Sequence, residues 1–168
     1  KKPMPGDPFW HLTPPIYDGN SKILILGSFP SVKSREVSFY YGHPQNRFWR
    51  VLAAVLGCAV PSSNEEKTAL LQSHNIALWD VIKSCDIVGS SDSSIKNVVP
   101  NDIGAILSSC GIRQIYSNGK TSEKLFNKYI KDTVGRDTVV LPSTSPANAS
   151  YNLERLTDSW SVIKNNIR

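Results

Sequence analysis

The sequence predicts an α/β fold of three layers, α/β/α, with a central four-stranded parallel sheet covered by helices on both faces. Two observations carry this. Four short apolar runs read as strands, at residues 22–28, 76–82, 112–117 and 137–141, and helical apolar spacing lies between or after them. The chain has 168 residues, 40% of them hydrophobic, which suits one domain over residues 1–168 and is too apolar for a disordered chain.

Residues 1–20 hold five of the eleven prolines, with Phe9 and Trp10, and read as an irregular arm packed on the domain through its aromatics. Ile23-Leu-Ile-Leu-Gly27 is an unbroken apolar run, as a strand buried on both faces requires, and it leads into Ser28 and a loop. Residues 29–45 are rich in Ser, Pro, Tyr and Gly; loops of this length in compact domains are usually functional. From Arg47 to Leu56, Phe48, Val51, Leu52 and Val55 share one helical face, and Gly57 ends the helix. A second helix spans Asn64 to Ser73 with Asn64 as its cap. Residues 84–100 are polar and serine-rich and read as a surface loop. Helices follow at Asp102 to Ser109 and Lys120 to Ile130, and a last one runs from Tyr151 to Ile167 with Leu153, Leu156, Trp160 and Ile163 on its apolar face. Ligands of parallel sheets bind at the carboxyl ends of the strands, so the loops that matter start at Gly27, Asp80, Ser117 and Leu141.

The net charge is +5 and the pI about 9.2, a modest basic excess that fits a polyanionic partner such as nucleic acid and is shared by many proteins without one. No apolar run is long enough to span a bilayer, and the two N-terminal lysines are not followed by the apolar segment of a secretory signal. Cys58, Cys85 and Cys110 are odd in number, far apart and without a CxxC pair, which argues against a disulfide framework and a zinc site. His11, His43 and His74 have no metal-ligand spacing. The expectation is a reduced, cytoplasmic, monomeric protein, associated with the nucleoid in a bacterium or archaeon, with no metal and no cofactor.

Three motifs fail on spacing. Ser117-Asn-Gly-Lys-Thr121 ends like a phosphate-binding P-loop, but position 114, where that loop needs glycine, is Gln114. Gly27-Ser-Phe-Pro-Ser31 has only the first glycine of a dinucleotide fingerprint, and it is not the G-x-S-x-G elbow of a serine hydrolase.

Taken together, Gly27-Ser-Phe-Pro-Ser31, Tyr40-Tyr-Gly-His-Pro-Gln-Asn-Arg-Phe-Trp49 and Leu141-Pro-Ser-Thr-Ser-Pro-Ala-Asn148 resemble the uracil-DNA glycosylase superfamily. The wording, with Ala77-Leu-Trp-Asp-Val81, is most similar to the hypoxanthine-DNA (deoxyinosine) glycosylase branch, family 6. The match runs from about residue 15 to the C-terminus. Two positions depart from the wider superfamily: Phe29 stands where many members carry a catalytic Asn or Asp, and Leu141 where the uracil enzymes carry a His.

The resemblance implies a metal-independent DNA-repair glycosylase that flips a deaminated base, most closely hypoxanthine, out of damaged DNA and leaves an abasic site. It implies that Asn46 takes the catalytic role. An amide is no strong base, but its carbonyl can hold a water in line with C1′ when the transition state is already largely dissociated. An Asn before a helix is also an ordinary N-cap, and both roles can coexist. Tyr41 occupies the position of the aromatic that stacks on the flipped base, with Tyr40 and Phe39 as substitutes. Asp80 lies where the superfamily reads the base edge. A carboxylate there accepts the ring N–H of hypoxanthine or uracil and finds none in adenine. His43 is a candidate donor to the departing base or a brace for the loop. Gly27, Ser28 and Phe29, with the backbone amides of residues 28–30, are further candidates for the base or the water. Ser143, Thr144, Ser145 and Asn148, with Asn118 and Gly119, are candidates for the DNA backbone and minor groove. Ala147 or Asn148 is placed to fill the gap left by the base. Lys33, Arg35, Arg47 and Lys120 are candidates for the charged footprint. Uracil excision is the alternative within this class. A catalytically silent binder of damaged DNA and a nucleoside hydrolase are the alternatives outside it.

Overall fold

Among the described residues the elements are, in chain order, β1 (Phe9–Trp10), β2 (Ile23–Gly27), α1 (Phe48–Leu56), α2 (Asn64–Ser73), β3 (Ile76–Asp80), β4 (Ile82–Asp86), β5 (Lys96–Pro100), α3 (Ile103–Ser109), β6 (Gln114–Asn118), α4 (Lys120–Tyr129), α5 (Lys131–Val134), β7 (Thr138–Leu141) and α6 (Leu153–Trp160). Two 3-10 segments lie at Asp92–Ser94 and Ser161–Asn166. This computed structural model describes residues 9–10, 13–29, 39–88 and 92–168, with the backbone only at 9, 10 and 92. The expectations for His11, Pro30, Ser31, Lys33 and Arg35, and for the packing of Phe9 and Trp10, lie outside the described residues.

β2 sits at the centre of the fold. It pairs in parallel with β3 on one side and β6 on the other, and β6 pairs in parallel with β7, giving the order β3-β2-β6-β7. Its side chains alternate between two cores. Ile23 and Ile25 meet Phe48, Leu52, Leu71 and Trp160 from α1, α2 and α6. Leu24 and Leu26 meet Ile103, Ile106 and Phe126 from α3 and α4 on the other face. Each of these four side chains is fully buried, which is worth about 1.5–3 kcal/mol apiece. The three-layer α/β/α arrangement with four parallel strands is thus present as expected.

Residues 84–100 differ from expectation. Instead of a loop they contribute β4 and β5, which pair antiparallel with each other and with β1 in a separate three-stranded sheet. The chain leaves the central sheet at Val81. There Val81 N–H and Ile82 N–H still bond to the carbonyls of Gly27 and Ser28 (2.9 and 3.1 Å). The bend would orphan three successive carbonyls, and Asn101 satisfies all of them. Its Nδ2 donates to Asp80 and Ile82 (2.9 and 3.2 Å) and its backbone N–H to Val81 (2.7 Å).

Smaller differences concern helix ends. α2 is capped by Ser63 rather than Asn64, because Glu66 stands three residues after Ser63 and completes a reciprocal capping box. α1 ends on Gly57 as expected, in the left-handed conformation (φ 70°). The last helix stops at Trp160 and tightens into a 3-10 segment rather than running as one helix to Ile167. The edge of β3 is closed by Ile16, whose backbone exchanges two hydrogen bonds with Leu78 (3.0 and 2.8 Å).

Candidate active site

The sheet register sets Gly27 beside Asp80 and Asn118 beside Leu141, so the four strands of the central sheet end at one edge. A cleft of about 900 Å³ lies over that edge. Its walls bring together Gly27 at the end of β2, Ser28 and Phe29 just after it, Tyr41 and Asn46 before α1, Asp80 at the end of β3, Asn118 at the end of β6, and residues 142–145 after β7.

Gly27 is where the packing is tightest. A Cβ added there would stand 2.3 Å from Asp80 Oδ1 and 2.9 Å from the Tyr41 hydroxyl. Only a hydrogen in place of a side chain lets those two polar groups close on the strand end. Asp80 is 4% exposed, and its backbone is held by Asn101 as described above.

Tyr41 has φ 53°, a left-handed conformation that an aromatic residue adopts only at a cost of about 1–3 kcal/mol. Its ring stacks on Phe48 at 4.2 Å and 22°, and its hydroxyl is buried with no hydrogen-bond partner. Burial first, and the negative charge of Asp80 second, hold this phenol well above its ordinary value of 10.0. Asn118, whose Oδ1 and one Nδ2 hydrogen serve Thr144, faces the hydroxyl and pulls the other way. Tyr40 is likewise pushed upward, by burial and then by Asp80 and Tyr41, and donates to the carbonyl of Pro14 (2.8 Å).

Asn46 lies just before α1. Its Oδ1 accepts from Phe48 N–H (3.0 Å) and from the Thr144 hydroxyl (2.9 Å). These two donors fill both lone pairs, so the carbonyl expected to hold a water is already engaged. The amide nitrogen is the part of Asn46 left for the cleft. Asn46 is not the cap of this helix: Arg47 holds that position with no side-chain cap bond, and Asn46 stands one residue earlier, its carbonyl accepting from Phe48 N–H.

The segment from Pro142 to Tyr151 is shaped by its own polar side chains. Ser143 Oγ accepts from Ser145 N–H (3.1 Å), Ser145 Oγ from Ala147 N–H (3.2 Å), and Asn148 Nδ2 donates to the carbonyl of Ser143 (3.0 Å). Arg47 clamps it from outside. Its guanidinium donates to the carbonyls of Ser145 (2.8 Å), Asn148 (3.1 Å) and Tyr151. Pro146 and Ala147 are left exposed at the tip.

Several candidates occupy places other than expected. His43 does not line the cleft. Its Nδ1 accepts from Gln45 N–H (3.1 Å) and its carbonyl from Asn46 N–H (2.9 Å), so it folds the turn before Asn46. Thr144 is fully buried and cannot touch a DNA backbone from there. Asn118 does line the cleft, with Oδ1 and one Nδ2 hydrogen bonded to Thr144. Gly119 spends its N–H on the carbonyl of Leu141 (2.9 Å) and has φ 94°. A Cβ on Gly119 would meet Ser143 Cβ at 3.0 Å, so its contribution is the close approach of α4 to the 142–151 segment. Arg47 is a clamp for that segment instead of a surface charge. Lys120 is exposed on the rim. The parts played by Thr144, Arg47 and Asn101 were missed because each depends on partners far away in sequence, and none sits in a local motif. Among the described residues, no group of three His, Cys, Asp or Glu side chains is placed to hold a metal ion.

The chain matches the uracil DNA glycosylase superfamily over residues 14–165. It belongs to that superfamily. Two curated relatives are each named hypoxanthine DNA glycosylase. The one from Methanosarcina barkeri is 36% identical over 137 residues, 80% of this chain and 85% of the relative. The one from Methanosarcina acetivorans is 35% identical over 152 residues, 89% of this chain and 94% of the relative. A solution NMR structure of a candidate uracil DNA glycosylase from Methanosarcina acetivorans superposes with a TM-score of 0.77 at 34% identity, covering 90% of this chain and 94% of that one. In superfamily terms, this member's cleft is built from residues at all four strand ends of the sheet.

Proposed function

We propose that this chain is a monofunctional DNA glycosylase that hydrolyses the N-glycosidic bond of hypoxanthine in damaged DNA and leaves an abasic site. The names carried by both Methanosarcina relatives support the substrate. The observation that carries the reading is the convergence of Asp80, Tyr41 and Asn46 on one cleft beside Gly27.

The reaction breaks the bond between C1′ and N9. The electron pair leaves with the purine, the sugar becomes cationic, and a water adds to C1′ and gives up a proton as the base gains one. The protein must stabilise the purine's negative charge and keep the site closed to bulk water. Asn46 supplies the first through its Nδ2 hydrogens, since its carbonyl is engaged. A preorganised donor of this kind is worth about 10²–10³-fold in rate. No strong base is needed, because the water is captured by an already cationic sugar.

Asp80 supports selection. Hypoxanthine presents N1–H to a carboxylate, whereas adenine presents a bare lone pair at N1 and leaves the buried acceptor facing an acceptor. That mismatch costs about 1–3 kcal/mol or more. Uracil presents an equivalent ring N–H and is the second substrate on this reading. The face of Tyr41 away from Phe48 receives the flipped base, and Pro146–Ala147 is placed to enter the vacated stack.

The test is single-turnover excision on duplex oligonucleotides carrying one hypoxanthine, uracil or normal adenine, with abasic sites revealed as breaks in hot alkali. Release of hypoxanthine without release of adenine is expected. Binding of the hypoxanthine duplex with no base released would replace the enzyme by a lesion-binding module.

A further inference from the structure

Thr144 is a buried hydroxyl in a segment that would otherwise be read as a surface for DNA, and the directions of its hydrogen bonds are all determined. Its backbone N–H donates to Asn118 Oδ1 (3.0 Å), which identifies that atom as the oxygen of the Asn118 amide. Asn118 Nδ2 is therefore the group that meets Thr144 Oγ1 (3.0 Å), and a nitrogen bearing only hydrogens can only donate. The Thr144 hydroxyl, having accepted there, gives its own proton to Asn46 Oδ1 (2.9 Å). Phe48 N–H donates to the same oxygen (3.0 Å), independently identifying it as oxygen. The Thr144 carbonyl accepts from Arg47 N–H (3.1 Å), so the backbone of Thr144 is fixed at both ends of the residue. The chain of donors runs one way, from Asn118 through Thr144 to the carbonyl oxygen of Asn46, a residue that lines the cleft.

We infer that Thr144 is a positioning residue for the excision reaction: its hydroxyl locks the Asn46 carboxamide with the oxygen turned inward and the N–H donors turned to the base. Resting on the glycosylase reading above, the inference adds how Asn46 is oriented and by which residue. A free asparagine amide can rotate by half a turn at little cost and present its oxygen to the cleft instead. With Phe48 N–H alone, the inward oxygen has one donor; with Thr144 it has two, and the rotated form would set Nδ2 hydrogens against both. The lock also joins the two segments that make the cleft. Asn46 lies just before α1, and Thr144 lies in the segment after β7, 98 residues away in sequence.

The test compares Thr144→Val, which keeps the shape and removes the hydroxyl, with Thr144→Ser, which keeps the hydroxyl. Both are measured alone and with Asn46→Ala. Duplex substrate with a single hypoxanthine gives the single-turnover rate and, separately, the DNA affinity. Thr144→Val is expected to slow excision by about 10–10²-fold, the range expected when a reacting group is misplaced, with duplex affinity unchanged. Thr144→Ser is expected to restore the rate. In the Asn46→Ala background, Thr144→Val is expected to cost nothing further, because the group it orients is gone. A full rate in Thr144→Val, a failure of Thr144→Ser to restore it, or an undiminished further loss in the Asn46→Ala background would each overturn the inference while leaving the glycosylase reading in place. If Thr144→Val does not fold, Asn118→Asp is the second variant. It replaces the donor to Thr144 by an acceptor and draws the hydroxyl proton away from Asn46, so a slowed reaction at unchanged affinity is expected, and an unchanged rate would overturn the inference. A parent protein that releases no base would overturn the glycosylase reading, and this inference with it.

Discussion

Adding one methyl group at Gly27 should disable the site without unfolding the chain. The backbone at Gly27 is ordinary strand, outside the conformations reserved for glycine, so Gly27→Ala introduces no backbone strain. The new Cβ would stand 2.3 Å from Asp80 Oδ1 and 2.9 Å from the Tyr41 hydroxyl, where ordinary contact begins at 3.4 Å. The differences, 3.4 minus 2.3 and 3.4 minus 2.9, require about 1.1 Å of movement by the carboxylate and about 0.5 Å by the phenol. Both are side-chain ends, so the sheet can survive, at a cost of about 1–3 kcal/mol for overpacking. Neither can move freely, because Asp80 is 4% exposed and the Tyr41 ring is stacked on Phe48. A displacement near 1 Å at a reacting centre costs about 10²-fold in rate. The assay is single-turnover release of hypoxanthine, with thermal unfolding of the same preparation as the control for folding. A folded Gly27→Ala protein that excises at the parent rate would refute the idea that Asp80 and Tyr41 act from where they stand.

Three further outcomes follow from the same geometry. Tyr41→Phe removes a buried hydroxyl with no partner and should stabilise the fold by about 1–3 kcal/mol, raising Tm by about 2–4 °C per kcal/mol at this size; a lower Tm would count against it. Arg47→Met frees three carbonyls of the 142–151 segment, and each bond to a charged donor is worth about 1.5–3 kcal/mol, so duplex affinity should weaken at least about tenfold and proteolysis near Ala147 should quicken. The phenols of Tyr40 and Tyr41 are both held above their ordinary value of 10.0, chiefly by burial, so above pH 10 they ionise more readily in the unfolded chain, and overall stability is unaffected by them below pH 10 and falls as pH rises beyond it. Urea unfolding followed from pH 8 to 11 should show that decline, and a Tyr40→Phe, Tyr41→Phe double variant should show less of it.

The central sheet was legible because strands buried on both faces must be apolar without interruption, and Ile23–Leu26 allows no other use. The rule that ligands meet the carboxyl ends of such strands then pointed to Gly27, Asp80, Ser117 and Leu141; Gly27, Asp80 and Leu141 line the cleft, while Ser117 is fully buried and its neighbour Asn118 lines the cleft in its place. The second sheet was not legible. β4 and β5 carry Lys83, Lys96 and Asn97 on exposed positions, their register is broken by irregularities, and the third strand, β1, lies more than 70 residues away in sequence. The loop residues of the site were found through the family resemblance, but their chemistry was only partly readable. Whether Asn46 offers an oxygen or an N–H depends on Thr144, and nothing local to either residue encodes that contact. For His43 the sequence left two roles open, donor to the base or brace for the loop, and its Nδ1 accepts from the next-but-one backbone amide, as a brace does. Arg47, a cation at the rim of a DNA cleft by sequence, is used up by carbonyls.

The most direct measurement is single-turnover excision of hypoxanthine by Asn46→Asp. The substitution keeps one oxygen for Phe48 N–H and the Thr144 hydroxyl and replaces the cleft-facing N–H donors by a second carboxylate oxygen. If Asn46 acts by donating to the departing base, excision should fall by about 10²–10³-fold while the variant still folds. An Asn46→Asp protein that cleaves as fast as the parent, or faster, would mean that this position serves the water as an acceptor, and the donor account would be wrong.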